Sequence, residues 1–490
     1  MLNKYILAFI FSSIFFFVSN AQEIVPEVFQ KCPRIHIENA IEAMGGRDTL
    51  KSLKSIYLDG YGHRYKMDQS ERAEGPYLVE YLKFEEIRDV NGRKIRRSIK
   101  TIPVKSTRNV IISGVVFQEE DKETLLLPDG LQEELFLSPE TALFTALKAK
   151  DLNCDKHVTV QGIVNNVVRF SWKNFPVKLY LNSFTNLLTA IEITRPYPYD
   201  NYGIWGDIKT VYSFSDWASI KGGIWYPLQW NIEQNGMPYK TLRFIEVKIN
   251  QPVNDKDFTI PQEIVKAQKE RTQKKPSNKP IEIQPGIWKL KDTLSTYFVK
   301  QSDGLLILDA PYSSSHSAET IKQIKQLFPN AWLKGVVSTS DSWEVIGGLR
   351  EYAASNIPIF SLDLNKGIIE KLLKANYETY PDKYSNNIYK FKLNPIYQDF
   401  TQGEGLNKML IFPLRSESGE RNLIIYFPEL QMVYASDLLR KDKEGNWKDS
   451  QKIIELNKAL VRKGFDVKDV FSMYLSKTSW PELLKELERK

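Results

Sequence analysis

The chain has 490 residues, 42% of them hydrophobic and 12% aromatic, so it can bury a sizeable core, and length alone allows two to about four domains. That composition excludes a disordered chain. Its 67 Lys and Arg against 60 Asp and Glu leave a formal charge of +7, much of it in one segment that lacks the aromatic residues a nucleic-acid face needs.

Residues 1–21 carry Lys4, an apolar run from Tyr5 to Val18, and the small residues Ser19-Asn20-Ala21. This is the pattern of a secretory signal peptide cleaved after Ala21. Gln22 and not a cysteine stands directly after the cut and no other long apolar run occurs, so the mature chain is expected to be exported as a soluble protein without a transmembrane segment. Residues 35–44 are amphipathic and stop at Gly45-Gly46, which predicts a helix with a glycine end. The two cysteines, Cys32 and Cys154, could pair in an exported chain, and the sequence leaves that open. His36 and His157 lie close to them in sequence, a spacing read as incidental.

Residues 55–261 read as a meander of strands. Segments 77–90 and 93–104 alternate in polarity around Asn91-Gly92, the type I′ hairpin signal, because both central residues of that turn need positive φ. Further strands are expected over 109–118, 157–172, 177–181, 187–194, 207–217, 228–234 and 239–249, which argues for an antiparallel sheet or open barrel. Ser138-Pro139-Glu140 starts a helix over 141–150. Arg93, Lys94, Arg96, Arg97 and Lys100 read as a solvated face. The aromatic cluster Tyr197, Tyr199, Tyr202, Trp205, Trp217, Trp225, Tyr226 and Trp230 either lines a ligand cavity or fills a sheet core. Its cavity candidates are Tyr197, Tyr202, Trp205 and Trp217, with 197–205 expected as a loop at the mouth.

Four stretches of this half carry a resemblance: A-I-E-A-M-G-G-R-D-T-L-K-S-L-K-S-I-Y-L-D-G-Y-G (40–62), G-D-I-K-T-V-Y-S-F-S-D-W (206–217), G-G-I-W-Y-P (222–227) and N-D-K-D-F-T-I-P (254–261). They are similar to exported proteins with a Lol-type fold, the lipoprotein carriers and receptors of the bacterial envelope. The resemblance implies a curved antiparallel sheet around helices over 22–261, a periplasmic location, and a lipid or other small hydrophobic ligand inside. Residues 262–284 follow as a basic linker. Lys266, Lys269, Arg271, Lys274, Lys275 and Lys279 outnumber Glu263 and Glu270 there, and almost nothing apolar is present to form a core. Contact with anionic lipid headgroups and plain solvation both remain open for it.

The last half is organised around V-V-S-T-S-D-S-W-E-V-I-G-G (336–348), an apolar strand end leading through polar residues into a helix. With D-G-L-L-I-L-D-A-P (303–311) and R-N-L-I-I-Y-F-P-E-L-Q-M-V-Y-A-S-D-L-L (421–439), it resembles the metallo-β-lactamase fold, whose signature is T-H-x-H-x-D-H followed by G-G. Thr339 falls on the motif threonine. Ser340 and Ser342 fall on the first two histidines, Glu344 on the aspartate and Val345 on the third histidine. Ser418 lies near the next histidine, and Asp437 matches the metal-bridging aspartate. The resemblance implies an αββα sandwich over 285–490.

The chemistry does not follow the frame. A catalytic zinc takes about three His, Cys or carboxylate ligands and an open water position, and serine hydroxyls with a valine do not supply them. No zinc and no catalytic residue are therefore expected. Asp341, Glu344, Glu417 and Asp437 remain as oxygen donors suited to Mg²⁺, Ca²⁺ or Mn²⁺. The alternative is that Asp341 and Glu344 cap the helix beginning near Ile346. No G-x-S-x-G elbow or glycine-rich phosphate loop occurs, and His316 sits away from the motif. The expected function is that of an exported, non-catalytic protein binding a small hydrophobic molecule, a lipid or a protein partner. A hydrolase with a substituted carboxylate metal site is the alternative.

Overall fold

A computed structural model of the chain describes residues 27–66, 75–102, 105–112, 115–120, 123–128, 133–197, 201–263, 266, 279–290, 294–385, 391–442 and 445–488. The expected signal peptide, most of the basic linker and Tyr199 lie outside these residues, as do the side chains of Cys32 and Tyr202. The pairing of Cys32 with Cys154 therefore also lies outside them.

The first half is one thirteen-stranded antiparallel sheet made of two meanders. Six strands step outward from Ser55–Lys66 through Leu78–Asp89, Lys94–Ile102, Lys105–Ile112 and Val115–Glu120 to Glu123–Pro128. Seven return from Asn153–Val160 through Ile163–Trp172, Phe175–Asn182, Leu188–Pro196, Asp207–Ile220 and Ile224–Gln234 to Met237–Ile249, which pairs with Ser55–Lys66. Alternate residues face inward, so Leu82 and Phe84 are buried while Lys83 and Glu85 are exposed. Helices Glu27–Ala43 and Pro139–Leu147 supply Ile37, Ile41, Ala142, Leu143 and Ala146 to one core with Leu58, Phe214, Tyr226, Trp230 and Phe244. Each large apolar side chain buried there contributes about 1.5–3 kcal/mol before entropy is counted.

Four details differ from the sequence reading. The 157–172 segment is a hairpin that turns at Gln161-Gly162, both with positive φ, and 109–118 is split between two strands. At Asn91-Gly92 the hairpin forms without a type I′ turn. Asp89 pairs with Lys94 across the ladder, the Asp89 carboxylate accepts the Gly92 N–H at 2.7 Å, and Arg93 takes the positive φ. The basic strand is a solvated face only in part: Arg93 and Lys100 are exposed, Lys94 and Arg96 are half-buried, and Arg97 is not on that face. Period-two alternation turns Arg97 inward, where it is 5% exposed.

Arg97 belongs to a buried ion network. It bridges Glu86 and Glu134, Arg88 bridges Glu86 and Glu140, and Arg195 lies 2.5 Å from Glu133. The Tyr197 hydroxyl donates to Glu133 at 2.9 Å, and those of Tyr212 and Tyr226 donate to Glu133 and Glu140. Burial alone would raise the Glu86 carboxyl, but the Arg88 and Arg97 guanidinium groups hold it at about 2.

The second half is two sheets face to face with helices outside, the αββα sandwich expected from its resemblance. One sheet runs Ile281–Gln284, Ile287–Leu290, Thr296–Gln301, Gly304–Leu308, Leu333–Ser338, Ile359–Leu362 and Leu393–Ile396, the last four parallel to one another. The other runs Phe400–Gln402, Met409–Pro413, Leu423–Phe427, Met432–Tyr434, Asp469–Phe471 and Thr478–Ser479. Tyr297, Val299, Leu306 and Val337 meet Ile411, Ile425, Tyr434 and Phe471 between the sheets. Helices Ser314–Leu327, Leu349–Ala354 and Lys366–Leu373 cover the first sheet, and Ser450–Arg462 and Trp480–Glu488 cover the second.

The halves meet at the 376–379 loop and where Ile204 packs into the core of the second half. Asp207 N–H donates to the Asn376 carbonyl at 2.6 Å, Thr379 N–H donates to Asp207 Oδ2 at 2.9 Å, and the Tyr377 hydroxyl donates to the Ile204 carbonyl. Gly206 has φ near 69°, and a Cβ there would stand 2.0 Å from the Asn376 oxygen, so this approach needs glycine. Arg350, 1% exposed, anchors the loop by pairing with Asp382 at 2.6 Å and lying over the Tyr377 ring at 4.0 Å. Among the described residues no helix is long and apolar enough to cross a membrane.

Candidate functional site

Strand Leu333–Ser338 delivers its following residues to the seam between the two sheets of the sandwich. Asp309, at the end of the neighbouring strand, is fully buried and accepts hydrogen bonds from Thr339 N–H and Oγ1, each at 2.7 Å, and from the Tyr434 hydroxyl. Burial pushes its carboxyl up to about 7, with the nearby Asp437 adding to the rise and the Tyr434 and Thr339 donors opposing it. Asp437 is ringed by donors: Asn422 Nδ2 at 2.9 Å and Ser436 Oγ at 3.1 Å on one oxygen, Ser340 Oγ at 3.2 Å on the other. Ser418 Oγ donates to Glu455 at 2.6 Å, and its N–H donates at 3.1 Å. Burial opposes ionisation of Glu455, yet the donors Ser416, Ser418 and Gln451 hold it at about 2.

These partners decide whether a metal fits. Ser340, Ser342, Val345 and Ser418, which the sequence resemblance sets at metal-ligand positions, include two hydroxyls spent as donors to carboxylates. Val345 is fully buried against Leu294 and Met473. The substitute carboxylates turn to separate partners. Asp341 lies 3.8 Å from Arg421, Glu344 lies 3.2 Å from Arg440 and accepts from the Tyr474 hydroxyl, and Glu417 is exposed. Among the described residues no three His, Cys, Asp or Glu side chains gather as a metal site. This donor set does not fit zinc. Helix Trp343–Ile346 begins after Ser342 with no side-chain cap; Glu344 lies in its first turn, Asp341 lies before it, and arginines face both carboxylates.

Directly over this seam lies a cleft of about 690 Å³, built by both halves. The first half contributes Tyr77, Trp205, Asp207, Ile208, Gln234 and Met237. From the second come Ser340, Asp341, Ser342, Ser418, Asn422 and Asp437 on the floor side, with Trp343, Lys371, Lys374 and Arg421 around them. Of the four aromatic candidates, only Trp205 is among the lining residues. Tyr197 is buried on Glu133 and Thr210, Trp217 packs against the first core, and the Tyr202 side chain lies outside the described residues. Tyr226 and Trp230 are core residues, so among the described residues these aromatics fill the inner face of the sheet, the second of the two readings the sequence offers. Sequence reasoning missed Asp207, Gln234 and Lys371, because no local pattern marks residues that meet only across a domain junction.

No family model matches the chain, and no curated protein does. Solved structures are similar to each half. TMB-1 is 16% identical over 44% of this chain and 97% of its own, with a TM-score of 0.34. A metallo-beta-lactamase from Pontibacter korlensis is 13% identical over 43% of this chain and 99% of its own, with a TM-score of 0.34. A putative outer membrane lipoprotein-sorting protein domain from Vibrio parahaemolyticus is 12% identical over 48% of this chain and 99% of its own, with a TM-score of 0.32. The reading of the fold rests on the sheet order and packing described above.

Proposed function

We propose that the protein is an exported, non-catalytic binding protein that takes a small molecule in the cleft between its halves. The observation that carries this reading is the cleft's place: it opens over the positions that would hold a hydrolase's metal, and those positions carry hydroxyls and a buried valine. Catalytic metal chemistry needs ligands that this floor does not present, while a cleft of this size with aromatic walls and a few convergent polar groups suits a ligand. The sheet of the first half then serves as one wall of the site, and its filled inner face argues against an acyl chain held inside the sheet.

Native mass spectrometry of protein purified from periplasmic expression tests this. Wild type should carry a non-protein mass that Ala375→Arg, which fills the cleft wall, does not retain. A mass held equally by both proteins, or by neither, contradicts the proposal.

A further inference from the structure

Charges along the cleft fall into two groups. Arg421 lies 3.8 Å from Asp341 and Lys452 lies 3.7 Å from Asp449, so these four meet counter-charges within the protein. Asp437, Glu417, Lys371 and Lys374 also line the cleft, and among the described residues none of these four forms an ion pair. Asp437 is half-buried, and its donors Asn422, Ser436 and Ser340 are all neutral, so they fix the carboxylate in place without cancelling its charge. Glu417, exposed and next to Ser418, adds a second carboxylate on the floor side. Lys371 and Lys374 stand three residues apart at the end of helix Lys366–Leu373, so they share a face of it, and both are exposed. Lys371 Nζ lies 5.5 Å from the centre of the Trp205 ring, which sets it against the wall built by the first half.

A ligand therefore meets two carboxylates and two ammonium groups in one space. An anion alone is repelled by Asp437 and Glu417, and a cation alone by Lys371 and Lys374. A neutral sugar or an acyl chain takes water from these charges and brings no counter-charge in return. A zwitterion with its charges at opposite ends pairs with both kinds. A cleft of about 690 Å³ suits a ligand of drug size, larger than one amino acid. Tyr77, Trp205 and Trp343 offer aromatic faces to apolar groups between the charged ends. Resting on the reading of the cleft as a ligand site, we infer that its ligand is a short peptide with free termini, whose α-ammonium group pairs with Asp437 and whose terminal carboxylate pairs with Lys371 and Lys374.

Isothermal titration of the mature chain tests this with trialanine, trileucine and tyrosyl-glycyl-glycine, each in free, N-acetylated and C-amidated form. Maltotriose, decanoate and spermidine serve as comparators. At least one free tripeptide should bind saturably to wild type, and acetylation or amidation should each weaken it about tenfold or more, the worth of a hydrogen bond to a charged group. These ligand changes need no variant to fold. Asp437→Asn should weaken the free peptide by a similar factor and leave the acetylated one nearly unchanged. Lys371→Gln combined with Lys374→Gln should do the same for the free and amidated pair. Equal affinity for the free, acetylated and amidated forms, or no peptide bound at all, overturns the inference. An acetylation loss that persists in full in Asp437→Asn overturns the pairing with Asp437. Saturable binding of a comparator alone, blocked by Ala375→Arg, overturns the peptide class and leaves the cleft standing as a ligand site. If nothing binds and no mass co-purifies, both readings fall.

Discussion

The inside of the first sheet and the seam of the sandwich bury carboxylates in opposite ways. In the sheet, Glu86 is met by two guanidinium groups and stays ionised down to about 2. In the seam, Asp309 is met by hydroxyls and a backbone N–H, and burial lifts it to about 7. Neutral donors do not repay the desolvation of a charge as a guanidinium does. The difference teaches that a carboxylate can be buried without a cation, provided that hydroxyls close around it and it can take up a proton.

The strongest way to break the comparison is to remove a guanidinium. Arg97→Met leaves Glu86 and Glu134 without their shared partner, and urea unfolding should show a loss of about 3–5 kcal/mol. A loss under about 1 kcal/mol would mean that the network is not a closed set of charges.

The pH responses sharpen it next. Asp309 has a raised folded pKa, so its contribution is present below its unfolded value and is lost as pH climbs from about 4 to about 7. Glu86 has a lowered one, so its contribution is lost as pH falls from about 4.5 towards 2. Asp309→Asn should flatten the stability profile between about pH 4 and pH 7, where the wild type loses on the order of 4 kcal/mol from this group. An unchanged slope would show that another group titrates there.

Smaller effects follow at the edges of both regions. Ser418→Ala removes a hydrogen bond to the ionised Glu455 and should cost about 1.5–3 kcal/mol at neutral pH, with acid unfolding beginning at higher pH than in wild type. Gly92→Ala brings a Cβ to 2.1 Å from Asp89 Oδ2 and displaces the carboxylate from the Gly92 N–H. Because Asp89 lies at an exposed turn, thermal unfolding should register only about 0.5–1.5 kcal/mol.

Much of this fold was legible from the sequence, because period-two alternation and turn residues are local signals. The strand over 207–217 stands where alternation puts it, and the strand pair over 421–439 stands where the resemblance implies it. The hairpin at 157–172 was missed because Gln161 takes a positive φ that its residue type does not advertise. The ion network was missed because Glu133, Glu134 and Glu140 sit on short helices, and the sheet that covers them comes from distant strands. The seam itself was legible through Ser340, Ser342, Val345 and Asp437. The cleft was not, because Trp205 and Gln234 reach it only through the contact of Gly206 with the 376–379 loop.

The central claim is that Ser340, Ser342, Val345 and Ser418 leave the seam without zinc. Elemental analysis of protein purified from zinc-supplemented periplasmic expression tests it most directly, paired with thermal unfolding before and after chelation. The account predicts well under one zinc per chain and no change in Tm on chelation. A full equivalent of zinc, whose removal lowers the Tm, would contradict it.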